Sequence, residues 1–286
     1  MRALVVVNAH SRRGSEDFSA AVEVLRSSGM EVLALRLTNS AEVDRAIREH
    51  ATLVDLAVVG GGDGTVNAAA EALLAARLPL GVLPLGTAND LARVLGLPRD
   101  PAAAARVILD GRRRRIDLGR ANDKLFFNIA TIGLSARLAK AMDGGTKRRF
   151  GALAYALTLA RIGLGHPFTV TLRTPQGQQR LRAIQIAVGN GRYHGGGVVV
   201  HEAAAIDDGL LHLYALEPQS MWELLHKLPR LLRGKHEGTE GVVSLVGETI
   251  EVLTDRRLPV NTDGELTTHT PVHFSVLPGA LEVFVP

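Results

Sequence analysis

The sequence predicts an α/β plus β protein: a three-layer α/β domain with a parallel sheet over residues 1–119, then a mostly antiparallel β-rich domain over residues 120–286. Three observations carry this expectation. In the first part, continuous apolar runs alternate with helical patterns, as strands buried on both faces require. After Arg112–Arg115, short strand patterns follow one another with few helices between them. Polar or glycine-rich turns stand where the apolar runs of the first part end, the edge at which open parallel sheets bind ligands.

Taken in order, Ala3–Val7 is a continuous apolar strand and Phe18–Ser27 a helix ending at Gly29. Glu31–Leu37 is the second strand, and Ser40–Glu49 a helix opened by a serine cap. Asp55–Val59 and Gly81–Leu85 are the third and fourth strands, with the Ala-rich helix Thr65–Ala76 between them. Arg112–Arg115 reads as a solvated inter-domain turn. Beyond it, Ile116–Arg120, Leu125–Thr131, Thr169–Arg173, Arg182–Val188, Leu210–Leu216, Val242–Val246, Thr249–Leu253 and Val272–Leu277 read as strands. Gly151–Ile162 and Met221–Leu228 read as the helices among them.

Composition narrows the function classes. There is no cysteine, which excludes disulfides and thiolate metal sites and fits a cytosolic setting. The first apolar run is too short for a signal peptide, and no stretch is long enough to span a bilayer. A net charge of +4 and a pI near 9.7 admit anionic partners such as nucleotides and acidic lipid surfaces. Nucleic acid is the weakest of these and no nucleic-acid partner is expected, because no basic stripe carries interleaved aromatics and no named binding motif is present.

The stretch Gly60-Gly61-Gly62-Asp63-Gly64-Thr65-Val66-Asn67 follows the third strand. Glycines let a ligand approach the backbone, and consecutive N–H groups at a helix start bind phosphate. Asp63 has three readings at this point: a helix cap, a cation ligand, or a partner of a substrate hydroxyl. The neighbouring turn, Gly86-Thr87-Ala88-Asn89-Asp90, offers a second capping and phosphate-contacting sequence. Asn8 to Gly14 offers amide, hydroxyl and guanidinium donors after the first strand. Neither the Walker ending nor the dinucleotide glycine spacing is present.

GGGDGTVN followed by PLGTANDLAR resembles the diacylglycerol kinase catalytic-domain family of lipid kinases. NDKLFFNIATIGLSA (122–136), Gly189-Asn190-Gly191 with Gly195–Gly197, Asp207 to Leu211 and Thr262-Asp263-Gly264-Glu265 match that family in order, so the resemblance covers essentially the whole chain. It implies a nucleotide-binding first domain, a β-sandwich second domain that takes the lipid, and an active-site cleft between them. ATP is the implied phosphoryl donor and Mg²⁺ the implied cofactor.

The resemblance assigns the nucleotide to Asn8, Ser11, Arg12, Thr38, Gly61, Gly62, Asp63, Gly64, Thr65, Asn67, Thr87 and Asn89. Glu265 becomes the general base, and Asp63 the catalytic carboxylate toward Mg²⁺ or the acceptor hydroxyl. Asp208, with the carbonyls of Ala205 and Leu210, becomes a structural Mg²⁺ site. The chain departs from the family pattern in Ala9, His10, Arg12 and Arg13 of the first loop and in Ala68 after Asn67.

The implied protein works peripherally at the inner face of the membrane from the cytoplasm, with room for a homodimer. Lys147–Phe150 and Trp222–Arg233 mix basic with apolar residues, as an interface contact or as solvated helix faces. Tyr193 and His194 are candidates to line the acceptor pocket. Diacylglycerol is the default acceptor; an NAD kinase and a non-catalytic nucleotide- or lipid-binding protein are the alternatives.

Overall fold

The computed structural model describes residues 1–8, 15–39, 41–134, 166–191, 193–194, 198–199, 204–220, 222–223 and 239–286. The expected helix Gly151–Ile162, nearly all of Met221–Leu228, and the basic stretch Lys147–Phe150 lie outside these residues. Two compact units form: Met1–Leu118 with Pro278–Pro286, and Gly119–Leu277.

The first unit follows the predicted alternation. It runs β1 (Arg2–Asn8), α1 (Ser15–Ser27), β2 (Glu31–Leu37), α2 (Ala41–His50), β3 (Leu56–Gly61), α3 (Asp63–Ala76), β4 (Leu80–Pro84), α4 (Asp90–Val94) and α5 (Pro101–Asp110). The strands pair in parallel in the order β2-β1-β3-β4. β1, β3 and β4 are buried along nearly their whole length, which is why they read as unbroken apolar runs.

Two helix starts carry more than the sequence reading gave. Ser40, the expected cap of α2, lies outside the described residues; Asn39 Oδ1 accepts from the Glu42 N–H at 3.1 Å, while the Glu42 carboxylate accepts from Thr38 N–H at 2.7 Å. The reach of Glu42 back to Thr38 holds its carboxyl below the usual range. α5 escaped the periodicity reading, although Asp100-Pro101 is an explicit start signal. Asp100 Oδ2 accepts from Ala103 N–H at 2.8 Å, with Pro101 opening the helix and Gly111 closing it in the left-handed region. Asp100→Ala is expected to destabilise the chain by about 1 kcal/mol, measured by denaturant unfolding.

The second unit begins within β5 (Arg113–Ala121) and continues through β6 (Lys124–Phe126), β7 (Ile129–Gly133), β8 (Phe168–Thr174), β9 (Gly177–Ala183), β10 (Gln185–Gly189), β11 (Tyr193–His194) and β12 (Val198–Val199). It is completed by β13 (Leu211–Leu216), β14 (Val242–Gly247), β15 (Thr249–Thr254), β16 (Pro259–Thr262), β17 (Glu265–His269) and β18 (Val272–Phe284). One sheet has the order β14-β13-β10-β7-β16-β17. The other carries β15, β8 and β9 beside the first half of β18. Their facing side chains, among them Ile132, Ile186, Val188 and Leu213 against Val170, Leu172, Val252 and Phe274, form one apolar core. Antiparallel sheets stacked on such a core are a β-sandwich.

The structure corrects four expectations here. The run Leu125–Thr131 is two strands, because a turn at Phe127–Asn128 is tied to Asp263 (below). Arg182–Val188 likewise divides between β9 and β10 at Ile184. Arg112–Arg115 is not a loose turn: Arg113 to Arg115 lie in β5, and Arg113 and Arg115 pair with Glu282 at 3.5 and 3.4 Å. The guanidinium of Arg113 also stacks on Phe284 at 5.0 Å. The second domain was carried to Pro286, yet residues 278–286 group with the first unit, because the end of β18 pairs in parallel with β4.

Candidate functional site

Parallel pairing fixes one edge of the first unit. Asn8 stands opposite Leu37, Gly60 opposite Val7 and Leu83, and Gly61 opposite Pro84. β2 and β3 flank β1 on opposite sides, so the connections leaving β1 and β3 diverge at this edge, the arrangement that opens a ligand crevice in such sheets. Register alone therefore collects Asn8, Thr38, the turn after β3 and the turn after β4. Ser11 and Arg12, expected on the same edge, lie outside the described residues.

The two glycine turns touch each other through their backbones. A Cβ on Gly86 would overlap Gly62 Cα, and one on Gly61 would come within 2.5 Å of the Thr65 side chain. Asn89 bridges its own turn: its Oδ1 accepts from Gly86 N–H at 2.9 Å and its Nδ2 donates to the Gly86 carbonyl at 3.0 Å. These bonds hold Asn89 at φ 50, a left-handed conformation that asparagine tolerates. Its amide thus shapes the turn, and Thr87 is left exposed at the tip.

Asp63 does not cap α3. The cap position is Gly62, with no side-chain bond to the helix start. Asp63 reaches instead to the neighbouring turn, where its Oδ1 accepts from Leu91 N–H at 3.3 Å. The N-terminus of a fourteen-residue helix is left without a side-chain cap, pointing positive dipole and N–H groups at the edge. Burial, and next the charge of Asp90, push the Asp63 carboxyl above its ordinary value. Asp90 is itself 5 % exposed. Two carboxylates crowded beside an anion-binding helix start are disfavoured unless a cation joins them. Asn67 adds a buried Oδ1 that accepts no hydrogen bond among the described residues. Hard oxygen donors of this kind, with phosphate oxygens and water, suit Mg²⁺.

Thr38 is exposed and its hydroxyl donates to the Glu42 carboxylate at 3.2 Å. That bond orients the Thr38 oxygen while leaving its lone pairs to accept.

In the second unit, Glu265 is exposed at the start of β17, opposite Thr262 across a hairpin whose turn is Asp263-Gly264. The Asp63 edge belongs to the first unit and Glu265 to the second. Asp208 accepts from the N–H groups of Ala205 and Leu210, both at 2.9 Å, and meets His212 Nε2 at 2.9 Å. A carboxylate offers about four lone-pair positions, so three such bonds leave one for a cation. Tyr193 and His194 form the short strand β11, with side chains outside the described set. Among the described residues no group of three or more His, Cys, Asp and Glu could hold a metal by itself. Nor does any helix among them have the length and apolarity to cross a membrane.

Sequence reasoning passed over Asp90, Asp263 and Asn190. Asp90 was visible only as a helix starter, because its crowding against Asp63 needs the two turns side by side. Asp263 carried a signal, being an Asp before Gly that holds φ at 47, but its partners lie 134 to 136 residues away.

Residues 2–121 match the family described as the diacylglycerol kinase catalytic domain, and residues 128–285 match the YegS C-terminal NAD kinase beta sandwich-like domain. The chain is 41 % identical over 283 residues to a Pseudomonas aeruginosa protein named "Probable lipid kinase YegS-like", covering 96 % of this chain and 91 % of that one. A Klebsiella pneumoniae protein of the same name is 34 % identical, with 93 % and 90 % covered. The solved structure of a diacylglycerol kinase from Bacillus anthracis aligns with a TM-score of 0.84 at 26 % identity, over 100 % of this chain and 97 % of that one.

Proposed function

Because the chain belongs to the diacylglycerol kinase catalytic-domain family, we propose that it is a lipid kinase that transfers the terminal phosphoryl group of ATP to a hydroxyl of a membrane lipid, with diacylglycerol the acceptor and phosphatidic acid the product. The observation that carries this reading is the uncapped start of α3 with Asp63 turned aside to Leu91. A structural turn would use Asp63 as the cap; a phosphate site needs the N–H groups left open.

The Gly61 to Thr65 turn holds the phosphates through the N–H groups of Gly62 and Gly64, with Thr87 completing the cradle and Asn89 shaping it. Asn8, Ser11, Arg12 and Thr38 contact the nucleotide from the first two strand ends. Asp63, helped by Asp90 and Asn67, would hold Mg²⁺, which would supply neutralisation of charge on the transferring phosphoryl group. Glu265 accepts the proton of the lipid hydroxyl as its oxygen bonds to the terminal phosphorus. The bond to ADP breaks in the same displacement, and ADP leaves. Ala205, Asp208 and Leu210 form a second, structural cation site using the remaining carboxylate lone pair. The chain meets lipid at the cytoplasmic face of the membrane; Trp222, 75 % exposed, supports that contact.

The reading is tested by incubating the purified chain with labelled ATP and Mg²⁺ against micelles of diacylglycerol, phosphatidylglycerol, a polyprenol and a sphingoid base, with NAD as a separate acceptor. Label in phosphatidic acid is expected. Label on NAD alone would replace the reading with an NAD kinase, and nucleotide binding with no transfer at all would replace it with a non-catalytic binder.

A further prediction concerns charge. The Asp63 carboxyl is raised in the folded chain from its ordinary value of 3.8. The stability it contributes is therefore present below that value and is lost as pH rises through the raised one. Ionised Asp63 is a cost to the ligand-free fold at neutral pH. Asp63→Asn keeps an oxygen for Leu91 and is expected to raise the ligand-free melting temperature at pH 7, with the gain vanishing in acid. Added Mg²⁺ should stabilise the original chain and not the variant. A variant that melts lower at pH 7, or responds to Mg²⁺ equally, contradicts the assignment.

A further inference from the structure

The turn between β6 and β7 is held from two sides by side chains distant in sequence. The Asp263 carboxylate accepts the N–H groups of Phe127, Asn128 and Ile129 at 2.6, 3.0 and 3.0 Å. Three consecutive N–H groups around one anion make a backbone nest, here filled by the protein's own carboxylate. The Asp263 N–H donates to the Ile129 carbonyl at 2.9 Å. Asn190, fully buried, donates its Nδ2 to the Phe127 carbonyl and its N–H to the Asn128 carbonyl, both at 2.9 Å. Gly191 N–H reaches the same Asn128 carbonyl at 3.3 Å. Both faces of the turn's peptide groups are thereby taken.

The same carboxylate fixes the hairpin that carries Glu265. Asp263 sits at φ 47 and Gly264 at φ 101, and Gly264 N–H donates to Asn261 Oδ1 at 3.0 Å. Glu265 follows directly and opens β17. A two-residue hairpin turn forms readily on local Asp-Gly or Asn-Gly chemistry, so it needs no carboxylate committed to another loop. The extra bonds couple Glu265 to a turn in a different hairpin, one glycine away from its own backbone.

We propose that Asp263 and Asn190 are positioning residues for phosphoryl transfer: together they clamp the Phe127–Ile129 turn to the Asp263-Gly264 turn and so set where Glu265 stands. This rests on the reading of Glu265 as the general base. Neither residue is assigned contact with substrate. A displaced base costs rate and leaves nucleotide affinity alone, since the nucleotide contacts assigned above lie in the first unit.

The test uses the full chain with Asp263→Asn, Asp263→Ala and Asn190→Ala. Three readouts are taken: steady-state transfer from ATP to diacylglycerol micelles, melting temperature, and amide hydrogen exchange of the 127–129 segment. All three variants are expected to lower kcat, by about a hundredfold for Asp263→Ala, as small misplacements of reacting groups do. KM for ATP should stay within about twofold, the mark of an interaction that matters only in the transition state. Asp263→Asn keeps one acceptor oxygen and should fall between Ala and the original chain. Exchange at 127–129 should rise in each.

Folded variants with unchanged kcat overturn the proposal. So does a loss of rate that matches only the loss of folded protein, or exchange at 127–129 that stays slow. An original chain inert toward every lipid would overturn the kinase reading itself and this role with it. An active original chain with unaffected variants overturns the positioning role alone.

Discussion

Replacing Glu265 by Ala lowers phosphoryl transfer to lipid by about a hundredfold or more, the usual worth of a positioned general base, while ATP binding and the melting temperature hold. Glu265 is exposed, so the fold has little to lose. The fall should appear in kcat, because a base acts on the acceptor hydroxyl only as the bond to phosphorus forms. Initial rates with the original and substituted chains, at saturating ATP, measure it. Equal rates would remove Glu265 from the mechanism without touching the phosphate site.

Gly86→Ala is expected to destabilise the first unit and to abolish nucleotide binding together. The added Cβ would overlap Gly62 Cα and crowd Gly62 N at 3.0 Å. Backbone atoms cannot swing away as a side-chain end can, so the two turns must part. Overpacking of this kind costs about 1–3 kcal/mol, and the parting moves the N–H groups that the phosphates need. Thermal melting and nucleotide titration on the same preparation check both effects. An alanine variant that binds ATP normally would mean that the turns need not touch. Ala at position 96, where open space surrounds the Cβ, is the control for a glycine whose cost is conformational only.

The first unit was legible because β1, β3 and β4 are buried along nearly their whole length and its turns are glycine-rich, two signals that depend on near neighbours in sequence. β3, α3 and β4 came out close to their observed bounds for this reason. The failures have a common physical origin. Leu125–Thr131 reads as one apolar strand until Asp263 takes three of its N–H groups. The arginine run reads as solvated until β18 brings Glu282 alongside. β18 itself passes Pro278-Gly279 without ending, because Gly279 N–H donates to Asp117 at 2.7 Å and Arg115 donates to the Gly279 carbonyl.

The candidate site divides along the same line. The glycines, Asp63, Thr65 and Thr87 were visible as a turn motif, but the role of Asp63 was not. Three readings stood open, and the cap was among them. Only the position of the second turn, with Leu91 N–H presented to Asp63 and Asp90 crowding it, removes the cap. Asn89, expected beside the nucleotide, also braces its own turn through both Gly86 bonds, which the sequence did not show.

The most direct measurement is a crystal structure of the chain with Mg²⁺, a non-hydrolysable ATP analogue and a short-chain diacylglycerol. The account predicts phosphate oxygens within hydrogen-bonding distance of the Gly62 and Gly64 N–H groups. It predicts Mg²⁺ on the Asp63 carboxylate and the Glu265 carboxylate facing the acceptor hydroxyl. Phosphates bound elsewhere, or Asp63 still turned to Leu91 with no cation beside it, would contradict the central claim.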